Sequence, residues 1–554
     1  MPYIYKYKNV IMNIPFNKPH LTGKPPHNMR FGNRYIYIFC IGVLLFNALF
    51  FALVAYLLPM RFEENDDVVM CMIANGVYSG SPDCHLVFIN AIYGSVLAWL
   101  YSLSQAIEWY TLSFSIIHIV SMSVLVWCIL LDKEHNRWIK AVFLLFLYVI
   151  WVRIILSFQF TTTAGLACVA GCVLLLHRAN RCQIFGGGLV LISSLIRFHV
   201  AGLVVLLFIP LFLYTIKLNY KRYIPMVLIG FLVLFCHIAD NLFYQTQEWE
   251  YYKEYNTLRG KINDNPNAFS DEVLGNLPIG VSEADYQLLC VASADPNIMT
   301  LEVLRQIDVL LEFVSVHDKW HNLKNLKSNI MVILLLWLFI GIAVFCRRDK
   351  GRKIGLSIVA LLVVAIMVFV ALNATLKNRV FLCILIATMT IVYHWMRIDN
   401  RTAFMLSVLC VAIGGMSAFY AKQTYKVWKW DTFDGRVNWN KNQISLVSQL
   451  PDEARLLMLV ADMKIEYTPP FHIKEIPYHF CVLGWMTANP LNNQLSSHKA
   501  LIDPNVYIFM RNTGYTPMLL THIREQIQYH YGLQTELSVF AENQSYAIVQ
   551  LKSY

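Results

Sequence analysis

Apolar runs of membrane-spanning length, separated by short polar turns, fill the first three quarters of the chain. They cover residues 35–58, 86–103, 111–131, 138–156, 160–177, 184–216, 223–243, 328–346, 354–372, 379–396 and 402–420. Each is close to the roughly 20 residues that cross a hydrocarbon core, which predicts about eleven helices. The run 184–216 is long enough to be two short helices broken at Arg197-Phe198-His199. The first run starts too late and is too long for a cleavable signal peptide, so it reads as an anchor. Polar sequence takes over at 244–327 and again after 421. In the latter part Leu456–Val460, Val506–Met510 and Tyr546–Leu551 read as strands, and 438–449 and 517–530 as helices.

Composition agrees: 57% of residues are hydrophobic and 14% charged, which excludes a string of soluble domains over the first three quarters. The formal net charge of +10 is no nucleic-acid footprint, because the basic residues gather in short turns and at the N-terminus. Lys6, Lys8, Lys18, Lys24, Arg30 and Arg34 precede the first run. Arg347 to Lys353, Arg397 with Arg401, and Lys217, Lys221 and Arg222 mark further inside turns. The clusters Lys133, Arg137, Lys140 and His177, Arg178, Arg181 fall inside only if 86–103 does not span and 184–216 crosses twice; otherwise they lie outside. Either scheme leaves 244–327 outside.

The expected division is a cytoplasmic segment 1–34, a membrane module 35–243 with a first outside loop 59–85, and an outside loop 244–327. Further spans at 328–420 and an extracytoplasmic α/β domain at 421–554 complete it. Thirteen cysteines lack CxxC spacing, so no zinc or redox motif is supported; Cys71 and Cys84 share the first outside loop and either pair or stay free thiols.

Within that loop stands an acidic knot, Glu63-Glu64-Asn65-Asp66-Asp67. An uncompensated Asp at the centre of a membrane helix costs about 2.5–3.5 kcal/mol, so four acids at a membrane face need a reason. They are a solvated loop or a catalytic or metal-binding group set against the bilayer surface. Val68, Val69, Met72 and Ile73 follow at helical spacing, predicting a short amphipathic helix on the membrane with the knot at its N-terminal end, where free amides favour an ionised carboxylate. Residues 157–165 form a polar hinge that reads as a threonine-capped helix start or a cavity wall. The outside loop opens on Gln245 to Asn256, where Trp249, Tyr251 and Tyr252 mix with carboxylates and amides. That mixture suits sugar rings or an ordinary interfacial belt. Ser282 to Asp285 resembles a helix start, and 299–316 reads as an amphipathic helix lying across the site.

No G-x-x-x-x-G-K-[ST] or strand-to-helix G-x-G-x-x-G is present, so neither ATP nor a dinucleotide is expected. G-x-S-x-G and H-E-x-x-H are absent too. An outside carboxylate, basic groups on the same face, an aromatic-polar loop and a soluble cap suit sugar transfer from a lipid phosphate to a hydroxyl. The carboxylate takes the acceptor proton and basic side chains hold the phosphate.

With Asp66-Asp67 placed directly after the first helix, the chain resembles the GT-C glycosyltransferases, integral membrane enzymes that use polyprenyl-phosphate-linked sugars. The likeness covers most of 30–430 by architecture and only Asp66-Asp67 by motif. It implies a GT-C-like helical module, a general base at Asp66 or Asp67 with Asp66 ranked first, and inversion at the sugar. Lys253, Arg259 and Lys261 fall in the loop corresponding to the family's donor-binding segment. Arg197, His199 and Arg379 are further phosphate candidates, and Asp83 and His85 candidates for positioning the sugar or acceptor. Magnesium or manganese at Asp66, Asp67 and Glu108 is allowed but not demanded by the spacing. The expected partners are a polyprenyl-phosphate sugar, a glycan or glycolipid acceptor and membrane lipids, at a bacterial cell membrane. The rival readings are a polymerase or ligase moving lipid-linked oligosaccharides, and a transporter or flippase of such lipids, which the lack of paired repeats disfavours.

Overall fold

The computed structural model describes residues 33–58, 60–216, 223–263, 265, 267–290, 294–315, 330–345, 349–373, 377–395, 408–409, 411–412, 415, 445–451, 453–458, 468–473, 480–482, 484–491, 497–512 and 516–554. The fold is an α-helical polytopic membrane bundle with a small α/β domain at its C-terminal side. Seven of the described helices are long and apolar enough to cross a membrane. They belong to α1 (Asn33–Leu57), α4 (Trp109–Leu131), α5 (Arg137–Leu156), α7 (Asn180–Ile216), α8 (Ile224–Phe243), α14 (Lys350–Asn373) and α15 (Asn378–Trp395). α6 (Phe160–Leu175) is shorter and every one of its residues is buried. α13 (Ile330–Phe345) packs on α14 and α15. The expected run 402–420 lies largely outside the described residues.

Contacts at the helix ends sort the bundle into two faces. At one face β1 (Arg61–Phe62) pairs in parallel with β2 (Ser157–Phe158), and Arg379 meets Glu64. At the other, Tyr393 Oη donates to Asp132 Oδ2 (3.0 Å) and Tyr214 Oη to Asp349 Oδ2 (2.9 Å). The long apolar run turns back on itself at Arg197, whose φ of −152° and ψ of 92° interrupt α7. Before the break α7 runs antiparallel to α6: Gly186 lies against Gly171, and Ser193 Oγ donates to Ala164 O (2.7 Å). After it the chain runs parallel to α6, with Val200 beside Gly165 and Cys168 Sγ against Ala201 O. So 184–216 crosses twice.

The run 86–103 does not cross. Its helix, α3 (Ala91–Leu103), has 13 residues, about 20 Å of length. Ala91 N–H donates to Asp240 near the end of α8, and Tyr101 Oη accepts from Tyr110 N–H at the start of α4. Both ends of α3 therefore stay at the face of β1. This is the scheme that brings Lys133, Arg137, Lys140, Arg178 and Arg181 to the face of Asp349, Lys350 and Arg352.

Glycines let α6 and α7 approach closely. A Cβ on Gly171 would stand 2.7 Å from Gly186 O, whereas one on Gly188 meets nothing within 4 Å. Gly171→Ala is expected to cost about 1–3 kcal/mol through displaced backbone. Its thermal midpoint should fall below that of Gly188→Ala, and equal midpoints would show that the two helices part freely.

α2 (Asn65–Asn75) follows the knot, as expected, but does not lie on the membrane: Asp67 to Asn75 are all buried. Its Val, Met and Ile side chains join the main core instead. α9 (Gln247–Asn263), α10 (Asp271–Leu274), α11 (Glu283–Cys290) and α12 (Leu301–Ser315) build a second core with Tyr255, Leu258, Leu304 and Leu311. α11 starts as the sequence suggests. Ser282 Oγ accepts Asp285 N–H (3.1 Å) and Asp285 Oδ2 accepts Ser282 N–H (2.9 Å), a reciprocal cap.

The C-terminal sheet has the order β4 (Phe480–Val482), β3 (Arg455–Met458), β5 (Val506–Arg511), β7 (Tyr546–Ser553), β6 (Thr535–Glu542). β3 runs parallel to β4 and β5; β7 is antiparallel to β5 and β6. Period-two alternation sends Leu456, Tyr507, Phe509 and Ile548 to the core shared with the bundle. Leu457, Ile508 and Val549 pack on the other face with α16 (Thr516–Tyr531). Of the expected helix 438–449, residues 438–444 lie outside the described residues and 445–447 are helical. Asp285 and Asp295 tie the 244–315 segment to this domain. Asp285 accepts from Gln526 Nε2 (2.7 Å) and His530 Nε2 (3.2 Å); Asp295 accepts from Tyr531 Oη and His498 N–H (both 2.8 Å).

Candidate active site

The knot is fixed by the ladder before it: Arg61 pairs with Ser157, Phe62 with Phe158, and Glu63 N–H donates to Phe158 O (3.1 Å). Glu64 caps α2 in an extended conformation, and Asp66 and Asp67 occupy its first turn. From there the two aspartates diverge. Asp67 is fully buried; its Oδ1 accepts from Tyr110 Oη (2.9 Å) and Phe160 N–H (3.1 Å). Its Oδ2 is buried with no hydrogen-bond partner among the described residues. Burial pushes this carboxyl well above the usual range, against the Tyr110 hydrogen bond.

Asp66 sits deep in the fold yet keeps part of its surface open. Burial raises its pKa; Arg379 opposes most, Glu64 adds to the rise, and Arg197 and Arg259 oppose in turn. Three arginines from separate elements thus act on one carboxylate. Glu63 is raised too, by burial first, with Arg379 as the main opposing charge.

The arginines are placed by their surroundings. Arg197, at the break in α7, has its guanidinium 5.2 Å from the Phe160 ring and 5.8 Å from the Phe88 ring, and Nη1 donates to Phe88 O (3.3 Å). It makes no ion pair among the described residues, so its charge stays available to an anion. Arg259 is held by Asn256 Oδ1 through Nε (3.2 Å) and Nη2 (2.9 Å). Arg379 Nη1 is buried and lies 2.9 Å from Glu64 Oε1, without the alignment of a hydrogen bond. Arg197 and Arg379 also repel each other, a cost that an anion between them would remove.

Of the other expected residues, Tyr252 lies within electrostatic reach of Asp66 and Arg259. Lys261 is exposed and paired with Asp308 (2.9 Å). Lys253 lies 4.1 Å from the Tyr244 ring, near Asp240 and Glu250. His199 is exposed beyond the α7 break. Tyr251 is 39% exposed, whereas Trp249 and Tyr252 are core residues, Tyr252 Oη donating to Trp485 O (2.9 Å). Glu108 accepts from Tyr101 Oη (3.2 Å) and lies 3.7 Å from Cys71 Sγ. Gln159, not a threonine, caps α6 by accepting Thr161 N–H (2.7 Å).

Asp66, Asp67 and Glu108 are not gathered as a cation site. Among the described residues the grouped donors are Asp83, Cys84 and His85. There both imidazole nitrogens are used, Nδ1 on Asp83 Oδ1 (2.7 Å) and Nε2 on Phe243 O (3.0 Å). Two donated N–H bonds make His85 a cation. Burial works against that charge, but Asp83 and Cys84 push its pKa up to about 10. A protonated imidazole has no lone pair for a metal. Cys71 and Cys84 are free thiols: Cys71 is buried among Tyr101 and Glu108, and Cys84 contacts His85.

The sequence reading missed the segment 484–491 of the C-terminal domain. The Trp485 ring lies 4.8 Å from that of Phe88, and the Trp485 carbonyl accepts from Tyr252 Oη (2.9 Å). The signal was there: Gly484, Trp485, Asn489 and Pro490 repeat the aromatic-amide mixture noted at 245–256.

No family model and no curated protein matches the chain. Among solved structures, that of ArnT from Cupriavidus metallidurans in the apo state is similar with a TM-score of 0.38 and 11% identity, over 93% of this chain and 98% of that one.

Proposed function

We propose that the chain is a GT-C-type membrane glycosyltransferase that moves a sugar from polyprenyl phosphate to a hydroxyl of a cell-surface glycan or glycolipid. What supports this reading is that Arg197, Arg259 and Arg379, from three separate elements, lie within electrostatic reach of the half-buried Asp66, with Arg379 set 2.9 Å from the neighbouring Glu64. Asp66 takes the proton of the acceptor hydroxyl as its oxygen bonds the anomeric carbon. The bond from that carbon to the phosphate oxygen breaks in the same displacement, which inverts the centre. The lipid phosphate leaves with the electron pair, and its charge is met by the arginines. A base lifted by burial is better matched to neutral pH than an ordinary aspartate.

Basic turns at the opposite face, from Lys133 to Lys140 and at Lys350 to Lys353, support a cytoplasmic position for that face and an outside position for the site. A bacterial cell membrane suits a donor whose phosphate sits at the bilayer surface.

The test is transfer of labelled sugar from a panel of polyprenyl-phosphate sugars to cell-envelope acceptors by the purified chain. Arg379→Gln is expected to raise the donor KM about tenfold or more, the worth of one charge-assisted hydrogen bond. Donor lipid that binds wild type but is never turned over would sink the enzyme reading and support a carrier.

A further inference from the structure

We propose that segment 484–491, delivered by the C-terminal domain, roofs the arginine pocket, and that Trp485 is a positioning residue for the anion-binding Arg197. This rests on the reading above, in which Arg197 meets the lipid phosphate. The chain of contact is short. Trp485 is buried, and its ring packs against Phe88 at 4.8 Å with a 55° tilt. Phe88 in turn lies parallel to Phe160 (8°, 6.4 Å), and these two rings flank the Arg197 guanidinium. The Phe88 carbonyl also accepts from Arg197 Nη1 (3.3 Å). Because the chain is non-helical at Arg197, its guanidinium takes its place from these aromatic faces and one carbonyl. Phe88 thus touches both Trp485 and the Arg197 guanidinium.

The roof is built to hold still. Thr487 Oγ1 accepts Gly484 N–H (3.3 Å), Asn489 Oδ1 accepts Leu491 N–H (2.9 Å), and Tyr252 Oη caps Trp485 O. Thr487 and Asn489 are both buried. Two residues in the left-handed region, Val87 (φ 67°) and Ala488 (φ 63°), sit in the two loops that meet here. Side chains with a Cβ persist in that region where the surroundings over-determine them, a pattern that clusters at ligand clamps. Val87 N–H is held by Tyr244 Oη (3.2 Å). Val87 belongs to the loop before α3 and Ala488 to the C-terminal domain, so each side of this contact contributes one such position.

The experiment is a double-mutant cycle on polyprenyl phosphate without sugar, binding the purified full chain, alongside donor kinetics. Trp485→Ala is expected to weaken binding about tenfold, the scale on which small displacements of a holding group are felt. Donor KM should rise by more than kcat falls. Trp485→Phe, which keeps a ring against Phe88, should recover most of the loss. In an Arg197→Gln background Trp485→Ala should cost nothing further, because the two act as one unit. Full additivity, or unchanged binding in Trp485→Ala, would overturn the positioning role. If Trp485→Ala fails to fold, Trp485→Leu fills the volume without a ring and takes its place in the cycle. Wild type that binds the lipid but transfers nothing removes the enzyme reading, while the cycle still reports whether Trp485 sets Arg197.

Discussion

Asp66→Asn should lower transfer by about 100- to 10,000-fold, the range contributed by a positioned general base, while the thermal midpoint of the purified protein stays near that of wild type. The amide keeps the size of the side chain at its partly open position but cannot accept the acceptor's proton. Because burial lifts the Asp66 carboxyl above the ordinary value of 3.8, the acid limb of kcat/KM should lie above that pH. The sign follows from the role: the base acts deprotonated, so activity rises as pH climbs through its pKa. Arg379 is the main charge holding that pKa down, so Arg379→Gln should move the limb to still higher pH. Initial rates of labelled-sugar transfer across pH measure both. Activity within tenfold of wild type in Asp66→Asn would place the base elsewhere.

Much of this arrangement was legible in the chain because lipid imposes one rule on every span. Backbone polar groups must be satisfied within the segment, so length and apolarity suffice to find helices. The two topology schemes were separated only by tertiary contacts. Nothing local in 86–103 says that its helix starts at Ala91, after a loop pinned by Asp83, His85 and Asp240. The charge pattern left Lys133 to Lys140 open between the two schemes, and the contacts at the helix ends put them at the face of Lys350. The knot was readable by its oddity in a hydrophobic chain. Whether a charged residue is paired inside the protein was not: Lys261 meets Asp308, and His85 meets Asp83. Trp249 and Tyr252 look like sugar platforms in sequence, but aromatic rings are also the largest units a core can bury. Trp485 went unnoticed because it meets Phe88 from 397 residues further along the chain, through a sheet domain whose contact with the bundle no periodicity reveals.

The neighbouring position should behave in the opposite way. Asp67→Ala is expected to destabilise the protein by about 2–5 kcal/mol, because it strands two buried donors, Tyr110 Oη and Phe160 N–H, that now share Oδ1. Those bonds join the start of α2 to the starts of α4 and α6, so losing them loosens the frame on which Asp66 stands. Asp67→Asn keeps an oxygen for both donors and puts an amide nitrogen where Oδ2 has no partner among the described residues. Burial already favours the neutral form of Asp67, which asparagine imitates. The fold should therefore survive Asp67→Asn, with transfer reduced far less than in Asp66→Asn. Thermal midpoints and transfer rates of the three variants decide between them. An Asp67→Asn protein that melts like wild type and is as inactive as Asp66→Asn would move the base to Asp67. An Asp67→Ala protein as stable as wild type would show that the buried clamp holds nothing.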